Sequence, residues 1–214
     1  MKYILDKIKL LIFHPIRFFS IVFGVVRSRF DAKFINKDGY RFTTDLEIQT
    51  LRRYVSQAKI GFVEIGVLDG KTTKEIAQEA HVPIYGIDPI IPDSMNKSLI
   101  GHEKYIHENM AFYKDFHFIK DFSYNVVGKW QYKFDMIFVD GDHEYDAAKQ
   151  DCEQWLPLLE SGGILALHDS APVTSMKGAF HGWPGPIRVA NELKQDERVE
   201  FVESADSLSI FRKK

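Results

Sequence analysis

The sequence lacks the features that would place it outside the ordinary globular proteins. Its 214 residues include one cysteine, Cys152, so an internal disulfide framework is excluded. The hydrophobic and charged fractions, 45% and 27%, are those of a folded domain rather than of a disordered or fibrous chain. The net charge is only −2, and the chain after residue 33 is acidic, which argues against a nucleic-acid partner held by a basic face. These limits leave room for one domain with a sizeable core.

A long hydrophobic run is also lacking, although the amino-terminal segment comes close to one. The stretch from Leu10 to Val26 is apolar but is interrupted by His14, Pro15 and Arg17. A membrane-spanning helix needs roughly 20 predominantly apolar residues, and no small-residue cleavage site follows, as a signal peptide would require. Residues 1–33 carry seven lysines and arginines and two aspartates, and the apolar side chains of residues 1–30 follow helical spacing.

Two interpretations of this basic segment stay open. Residues 1–30 either lie as an interfacial helix on an anionic membrane surface, or pack as an arm on the domain or on a second subunit of a homo-oligomer. We therefore predict a helical arm over residues 1–33, followed by one domain over residues 34–214. The expected location is the cytoplasm, with peripheral attachment to the inner face of the membrane under the first interpretation.

The dinucleotide fingerprint G-x-G-x-x-G is lacking too, although a glycine loop follows a predicted strand at 59–65. Gly66 and Gly70 allow a tight turn and a close approach to a ligand, as they would in a plain strand-to-helix turn. Leu68 occupies the position of the glycine that makes room for a pyrophosphate. A second short strand ends at Asp88, 22 positions after Gly66, where an acid is placed to hold ribose hydroxyls. Together these features favour a bound nucleoside without a pyrophosphate.

What the sequence does have is a pair of buried strands that end abruptly in polar residues. Strand 136–139 ends at Asp140, and strand 164–167 is followed directly by His168 and Asp169. If the two strands are parallel neighbours, their carboxyl ends share the sheet edge where open α/β sheets bind ligands. A polar cluster suited to a divalent cation would then form from Asp140, Asp142, His143, His168 and Asp169.

Predicted strands and helices alternate along the chain. This order predicts an α/β fold: a Rossmann-like, doubly wound, mostly parallel sheet with helices on both faces. The last two strands, 200–203 and 208–211, are expected to finish it as an antiparallel pair. A helix capped by Thr44 or Asp45 precedes the sheet. Apolar residues at helical spacing predict a further helix from Tyr145 to Leu159.

Residues 62–170 resemble the class I S-adenosylmethionine-dependent methyltransferases. The pattern E-x-G-x-x-x-G that starts at Glu64 looks like the first motif of that family, and Asp88 matches its ribose-binding acid. The stretches FVDGDHEY and LHDS look like a narrower branch, the metal-dependent O-methyltransferases that include the macrocin- and mycinamicin-type sugar methyltransferases. The resemblance implies S-adenosyl-L-methionine as cofactor and Mg²⁺, or another divalent cation, as metal.

The resemblance also assigns roles to particular residues. The metal ligands would be Asp140, His168 and Asp169, although a histidine suits softer metals than Mg²⁺. His143, three residues after Asp140, matches the proposed general base of the branch. The cofactor would be contacted by Glu64, Gly66, Gly70, Asp88, Ser123, Asp140 and Asp142.

Some of these residues have a structural alternative. Asp142 is also a favoured type of helix cap, His143 is also placed as an exposed residue of a first helical turn, and His168 also fits a core histidine bonded to backbone. Residues 171–186 are rich in glycine and proline, which suits either a lid over the acceptor or an ordinary surface loop.

The function expected from these residues is a metal-assisted O-methyltransferase that acts on a hydroxyl of a small acceptor, such as a sugar or glycoconjugate. A cation would lower the pKa of the acceptor hydroxyl, and His143 would accept its proton. One alternative is a metal-independent methyltransferase in which Asp140 and Asp169 are structural. Another is a membrane-attached nucleoside-binding module without catalysis.

Overall fold

The computed structural model describes residues 35–36, 39–40, 42–91, 102–175 and 180–214. The predicted arm and its boundary with the domain lie outside these ranges, so both stay predictions. The chain divides into two units. Of the smaller unit, the model describes a two-stranded antiparallel pair, β1 (Ile35–Asn36) and β2 (Gly39–Tyr40), which is taken here by itself.

The larger unit is built on a seven-stranded sheet. Its strands are β3 (Phe62–Ile65), β4 (Ile84–Ile87), β5 (Phe116–Ile119), β6 (Phe134–Val139), β7 (Leu159–Leu167), β8 (Val199–Ala205) and β9 (Leu208–Lys213). The order across the sheet is β5-β4-β3-β6-β7-β9-β8. The first five strands in this order are parallel, and β9 pairs antiparallel with both β7 and β8. The predicted fold class is therefore confirmed, including the antiparallel pair at the carboxyl terminus.

Helices cover both faces of this sheet. They are α1 (Asp45–Val55), α2 (Lys71–Ala77), α3 (His102–Met110), α4 (Ser123–Val126), α5 (Tyr145–Trp155) and α6 (Pro184–Leu193). Successive side chains of a strand point to opposite faces. Accordingly Val63 and Ile65 pack in the cluster that holds Cys152 and Trp155 of α5, whereas Phe62 packs in the cluster on the other face. That second cluster contains residues of α1 and α2, among them Ile48, Leu51 and Ile76.

The start of α1 follows the prediction. Thr44 is the N-cap, and its hydroxyl accepts a hydrogen bond from the backbone N–H of Glu47. The carboxylate of Glu47 in turn accepts from the backbone N–H of Thr44, which completes a capping box.

The helix predicted from Tyr145 to Leu159 is wrong at its carboxyl end. α5 stops at Trp155, a short 3₁₀ turn covers Leu156–Leu158, and Leu159 already belongs to β7. Pro157 explains the difference, because its ring removes a backbone donor and clashes with the preceding turn of a helix. The pair Gly162 and Gly163 lies within β7 instead of ending the helix.

The described helices were also compared with the length of a membrane span. None of the helices within the described residues is long and apolar enough to cross a membrane. This finding does not extend to the basic amino-terminal segment.

Candidate active site

The carboxyl ends of β3, β6 and β7 bring three segments together. Ile65 is paired with Val139, and Val139 with Leu167, so the chain leaves all three strands at the same level. The backbone of Gly66 runs so close to Asp140 that a Cβ at Gly66 would lie 2.0 Å from the carbonyl oxygen of Asp140. Only glycine fits there, and its φ of +92° also favours glycine.

The loop after β3 is organised by Asp88. Its Oδ2 accepts hydrogen bonds from the backbone N–H groups of Val67 and Leu68, at 2.9 and 2.8 Å. Leu68 itself has a φ of +54°, a conformation uncommon outside glycine. Asp88 therefore fixes the conformation of the glycine loop. A carboxylate has further lone pairs, which can accept hydrogen bonds from ribose hydroxyls.

Glu64 lies at the centre of β3 and is fully buried. Neither of its carboxylate oxygens has a hydrogen-bond partner among the described residues. Burial raises the pKa of Glu64 to about 8, against the nearby hydroxyl of Thr73, which lowers it, and the negative charges of Asp140 and Asp88 act in the same direction as burial. A buried acid with open acceptors beside a glycine loop can bind a cationic group of a ligand.

Ser123, at the start of α4, is buried. Its hydroxyl donates a hydrogen bond to Asp151 of α5. Burial raises the pKa of Asp151 to about 6, against the hydrogen bond from Ser123, which lowers it. The other carboxylate oxygen of Asp151 lies 3.2 Å from the position of a Cβ on Gly141. The hydrogen-bonded pair of Ser123 and Asp151 therefore packs against the loop that follows β6.

His168 is enclosed between carboxylates. Its Nδ1 lies 2.8 Å from Oδ1 of Asp140 and 3.6 Å from Oδ1 of Asp169, while its Nε2 lies 3.3 Å from Oε2 of Glu47. Its side chain is 2% exposed. Burial lowers the pKa of His168, but the charges of Asp140, Asp169 and Glu47 outweigh it and hold the pKa well above the ordinary value. The alternative of a histidine bonded to backbone does not describe this arrangement, since both ring nitrogens face acids.

His143 approaches the second acid of the pair. Its Nε2 lies 2.8 Å from Oδ2 of Asp169, but this atom makes no well-aligned hydrogen bond within the described residues. The ring stacks on Trp183, with centroids 5.2 Å apart. Burial lowers the pKa of His143, and the contact with Asp169 overcomes this effect and raises it. His143 is thus held in place by the indole and by the carboxylate.

Asp142 lies beside this cluster, on the solvent side. It is exposed, and its Oδ1 accepts a hydrogen bond of 3.0 Å from the backbone N–H of Glu144. Because Glu144 is the N-cap of α5, Asp142 supports the turn before the helix without being the cap itself.

The ligand atoms of this cluster are close enough together to hold a divalent cation. Asp140, His143 and Asp169 each offer a ligand atom, and these atoms lie within 4.8 Å of one another. His143 Nε2 supplies a buried nitrogen that lies 2.8 Å from Oδ2 of Asp169 without a well-aligned hydrogen bond to any described residue. Two carboxylates with one or two imidazoles suit Mn²⁺, Fe²⁺ or Zn²⁺ at least as well as Mg²⁺.

Three residues near the cluster were not predicted from the sequence. They are Glu47, Ser207 and Trp183. The spacing T-x-x-E signals a capping box that contains Glu47, but no sequence signal places that glutamate against His168. Trp183 lies within the glycine- and proline-rich segment for which a lid is one interpretation.

The sheet order and the site together define a class of protein. The central parallel strands end in a glycine loop, in an acid placed to hold ribose hydroxyls, and in an acidic cluster. This arrangement is typical of Rossmann-like enzymes that bind a nucleoside cofactor at that edge. Comparison with known proteins identifies the family within this class.

Residues 63–170 match a family model described as a methyltransferase domain. No curated protein matches the chain. The chain belongs to this methyltransferase-domain family and is a class I S-adenosylmethionine-dependent methyltransferase.

Solved structures share the fold. A protein from Corynebacterium glutamicum aligns with a TM-score of 0.62 at 17% identity over 88% of each chain. An O-methyltransferase from Bacillus cereus in complex with SAH aligns with a TM-score of 0.59 at 15% identity over 91% of each chain. The N-methyltransferase NodS from Bradyrhizobium japonicum aligns at 0.52 and 19% identity, over 78% of this chain and 93% of its own. Since both O- and N-methyltransferases are among these structures, the fold alone does not choose the acceptor atom.

Proposed function

We propose that this protein is an O-methyltransferase that acts, with the help of a divalent cation, on a hydroxyl of a small acceptor such as a sugar or glycoconjugate. The observation that carries the proposal is the convergence of Asp140, His143 and Asp169 within 4.8 Å, directly beside the glycine loop at Gly66. A methyl donor bound at that loop would lie next to the acids. The fold shared with the SAH-bound O-methyltransferase from Bacillus cereus supports methyl transfer, and the acidic cluster supports oxygen as the acceptor atom.

The roles of the residues follow from the chemistry of the transfer. The activated methyl group is supplied by the cofactor, so the protein has to align the acceptor oxygen and remove its proton. A bound cation supplies positive charge that lowers the pKa of a coordinated hydroxyl. Asp140 and Asp169 would hold this cation together with the Nδ1 of His168, which lies 2.8 and 3.6 Å from them. The third member of the cluster, His143, would then stay off the metal. His143, oriented by Trp183 and Asp169, would accept the proton.

The remaining predicted residues would bind the cofactor. Glu64, with both carboxylate oxygens open among the described residues, suits the cationic amino-acid part of S-adenosylmethionine. Asp88 retains acceptor capacity for the ribose, and Gly66 and Gly70 provide the positive-φ turns of the loop that would face the nucleoside. Ser123, Asp140 and Asp142 lie on the loops that follow β5 and β6, at the same edge.

Aromatic side chains next to His143 support a ring-shaped acceptor. Trp183 stacks on His143, and Phe180 meets Trp183 edge-on with centroids 5.9 Å apart. Aromatic surface beside a base and a cation suits a sugar, which presents both apolar C–H faces and neighbouring hydroxyls. Contact of residues 1–30 with a membrane or a second subunit stays a prediction.

One observation favours a metal-independent methyltransferase instead. His168 already lies 2.8 Å from Asp140, so this half-buried acid has a cationic partner without any metal. In that case the acids would serve only to orient His168 and His143.

A methyl-incorporation assay separates these possibilities. Purified protein stripped with a chelator is given S-adenosylmethionine and a panel of sugars and glycoconjugates, with and without Mg²⁺ or Mn²⁺. We expect activity to return only with the cation. His143→Ala should lower the rate by about 10²- to 10⁴-fold while SAH binding is retained, and His81→Ala, at an exposed histidine outside the site, should not. Full activity in chelator would favour the metal-independent enzyme, and equal rates for His143→Ala and wild type would exclude His143 as the base.

A further inference from the structure

Glu47 is a buried carboxylate that the proposed mechanism does not yet use. It occupies the third position of α1, and its relative exposure is 0%. Its Oε1 accepts hydrogen bonds from the backbone N–H and the hydroxyl of Ser207, at 2.8 and 2.6 Å. Its Oε2 accepts from the backbone N–H of Thr44 at 2.6 Å and lies 3.3 Å from Nε2 of His168.

A helix cap alone does not explain this burial. The glutamate of a capping box has only to reach back to the backbone N–H of the cap residue, which it can do at a helix surface. Burying a carboxylate is unfavourable unless it is paired and hydrogen-bonded. Glu47 is fully buried and makes its further contacts with His168 and Ser207, which come from distant parts of the chain. Its position therefore serves those residues as well as the helix.

Two short connections run from Glu47 to the candidate metal carboxylates. Through His168 it reaches Asp140, since the opposite ring nitrogen lies 2.8 Å from that acid. Through Ser207, whose hydroxyl lies 3.3 Å from Oδ1, it reaches Asp169. Glu47 is thus one contact away from both acids, although it precedes the entire sheet in sequence.

We infer that Glu47 is a positioning residue of the metal centre, which accepts the Nε2–H of His168 and so turns Nδ1 towards the space between Asp140 and Asp169. The inference rests on the proposed metal-assisted function and adds a residue to it. A ligating histidine almost always donates its second ring N–H to a carboxylate, a carbonyl or water, and loss of that partner typically lowers metal affinity about 10- to 100-fold.

The test is a titration of the full chain with Mn²⁺, followed by electron paramagnetic resonance. Glu47→Gln keeps the size of the side chain but removes its charge and replaces one carboxylate oxygen by an amide N–H₂. That group would face either Thr44 and His168, which share Oε2, or the two Ser207 donors at Oε1. We expect its Mn²⁺ affinity to fall about 10- to 100-fold while SAH binding is unchanged. Glu203→Gln is the matched control.

The control is chosen because it disturbs the same helix at its other end. Glu203 accepts hydrogen bonds from Tyr54 and Arg53, which belong to the last turn of α1. Glu203→Gln weakens these hydrogen bonds to α1 and changes no residue in contact with His168. We expect Mn²⁺ affinity within twofold of the wild type for this variant.

A double variant adds a second test if Glu47→Gln folds, and the tautomer of His168 in the wild type keeps the inference testable if it does not. His168→Asn is expected to bind Mn²⁺ weakly, and adding Glu47→Gln to it should lower the affinity no further. In ¹⁵N-histidine spectra of the Zn²⁺-loaded wild type, His168 should be ligated through Nδ1 and protonated at Nε2. The opposite tautomer would overturn the inference.

The outcomes separate this inference from the proposed function. If the wild type binds Mn²⁺ and Glu47→Gln binds it equally well, Glu47 only caps α1 and the inference is wrong, whereas the proposed function stands. If the wild type binds no Mn²⁺, the metal-assisted function fails, and the role of Glu47 fails with it.

Discussion

At the scale of single residues, the carboxyl edge of the sheet holds several groups in unfavourable states. Glu64 is an acid buried near two other acids, and Leu68 and Asp169 have positive φ angles of 54° and 53°. Such states persist only where the surrounding structure fixes them, and they concentrate at functional sites. They mark the same edge that the sequence indicated through Gly66, Asp140 and Asp169.

Glu64→Gln should stabilise the ligand-free protein at alkaline pH. The pKa of Glu64 is about 8 in the folded state against an ordinary 4.5. Between these values the unfolded chain has lost a proton that the folded chain keeps, so stability falls as pH rises, by up to about 1.4 kcal/mol per pH unit. Urea unfolding at pH 8 should show a gain of about 4 kcal/mol for the variant, which should shrink towards pH 5.

The same substitution should weaken cofactor binding, because a neutral amide cannot pair with a cationic ligand. Calorimetry with SAH at pH 8 would measure this loss. A wild-type stability that stays level between pH 5 and pH 8, with unchanged SAH affinity in Glu64→Gln, would contradict both expectations. A gain in stability with a loss in binding is the usual pattern for a residue kept for function.

Local contacts of this kind were only partly predictable. Acids that directly follow buried strands are visible in a sequence because burial requires them to be satisfied, and this pointed to Asp140 and Asp169. The contact of Glu47 with His168 was not visible, because 121 positions separate the two residues and the sequence does not fix the packing of α1. The same holds for the stacking of Trp183 on His143.

At the scale of elements, the position of α6 determines how His143 is held. Gly185, in the first turn of α6, lies against the loop after β6: a Cβ there would be 2.2 Å from the carbonyl oxygen of His143 and 2.6 Å from the backbone nitrogen of Tyr145. Trp183, the N-cap of α6, donates its backbone N–H to the carbonyl of Asp169 at 2.8 Å. The start of α6 thus ties the two candidate active-site loops together.

Gly185→Ala should lower the methyl-transfer rate while leaving SAH affinity near the wild-type value. Alanine is favoured over glycine within a helix by about 1 kcal/mol, so helix propensity alone predicts stabilisation. The clash with His143 and Tyr145 predicts the opposite sign, a destabilisation of about 1–3 kcal/mol. Thermal unfolding and single-turnover kinetics would measure both effects.

Gly128→Ala is the appropriate comparison, because no atom lies within 4 Å of the added Cβ at that position. If both glycine variants behaved alike, the contact between α6 and the His143 loop would be unimportant.

The extents of elements also show where sequence patterns fail. Helical spacing of apolar residues continued to Leu159, although Pro157 ended the helix and the strand β7 began at that residue. Periodicity alone does not distinguish the last turn of a helix from the first residues of a buried strand.

At the scale of the larger unit, the sheet has two functional halves that meet at Asp140. The half formed by β3, β4 and β5 carries the glycine loop and Asp88, and the half formed by β6, β7 and β9 carries the acidic cluster. This division was predictable because parallel strands place their carboxyl ends at one edge. Asp140 belongs to both halves, since its carbonyl contacts the backbone of Gly66 and its carboxylate contacts His168.

Substitutions at the two acids should therefore have different consequences. A ligand that binds only the folded state stabilises it by about 2.7 kcal/mol at a concentration 100 times its Kd, so thermal shifts report each ligand separately. Asp169→Asn should lose the shift caused by Mn²⁺ and keep the shift caused by SAH. Asp140→Asn should lose the Mn²⁺ shift and also reduce the SAH shift, because the Asp140 carboxylate is also a predicted cofactor contact. Equal retention of the SAH shift in the two variants would mean that the halves are independent, and that Asp140 serves the metal alone.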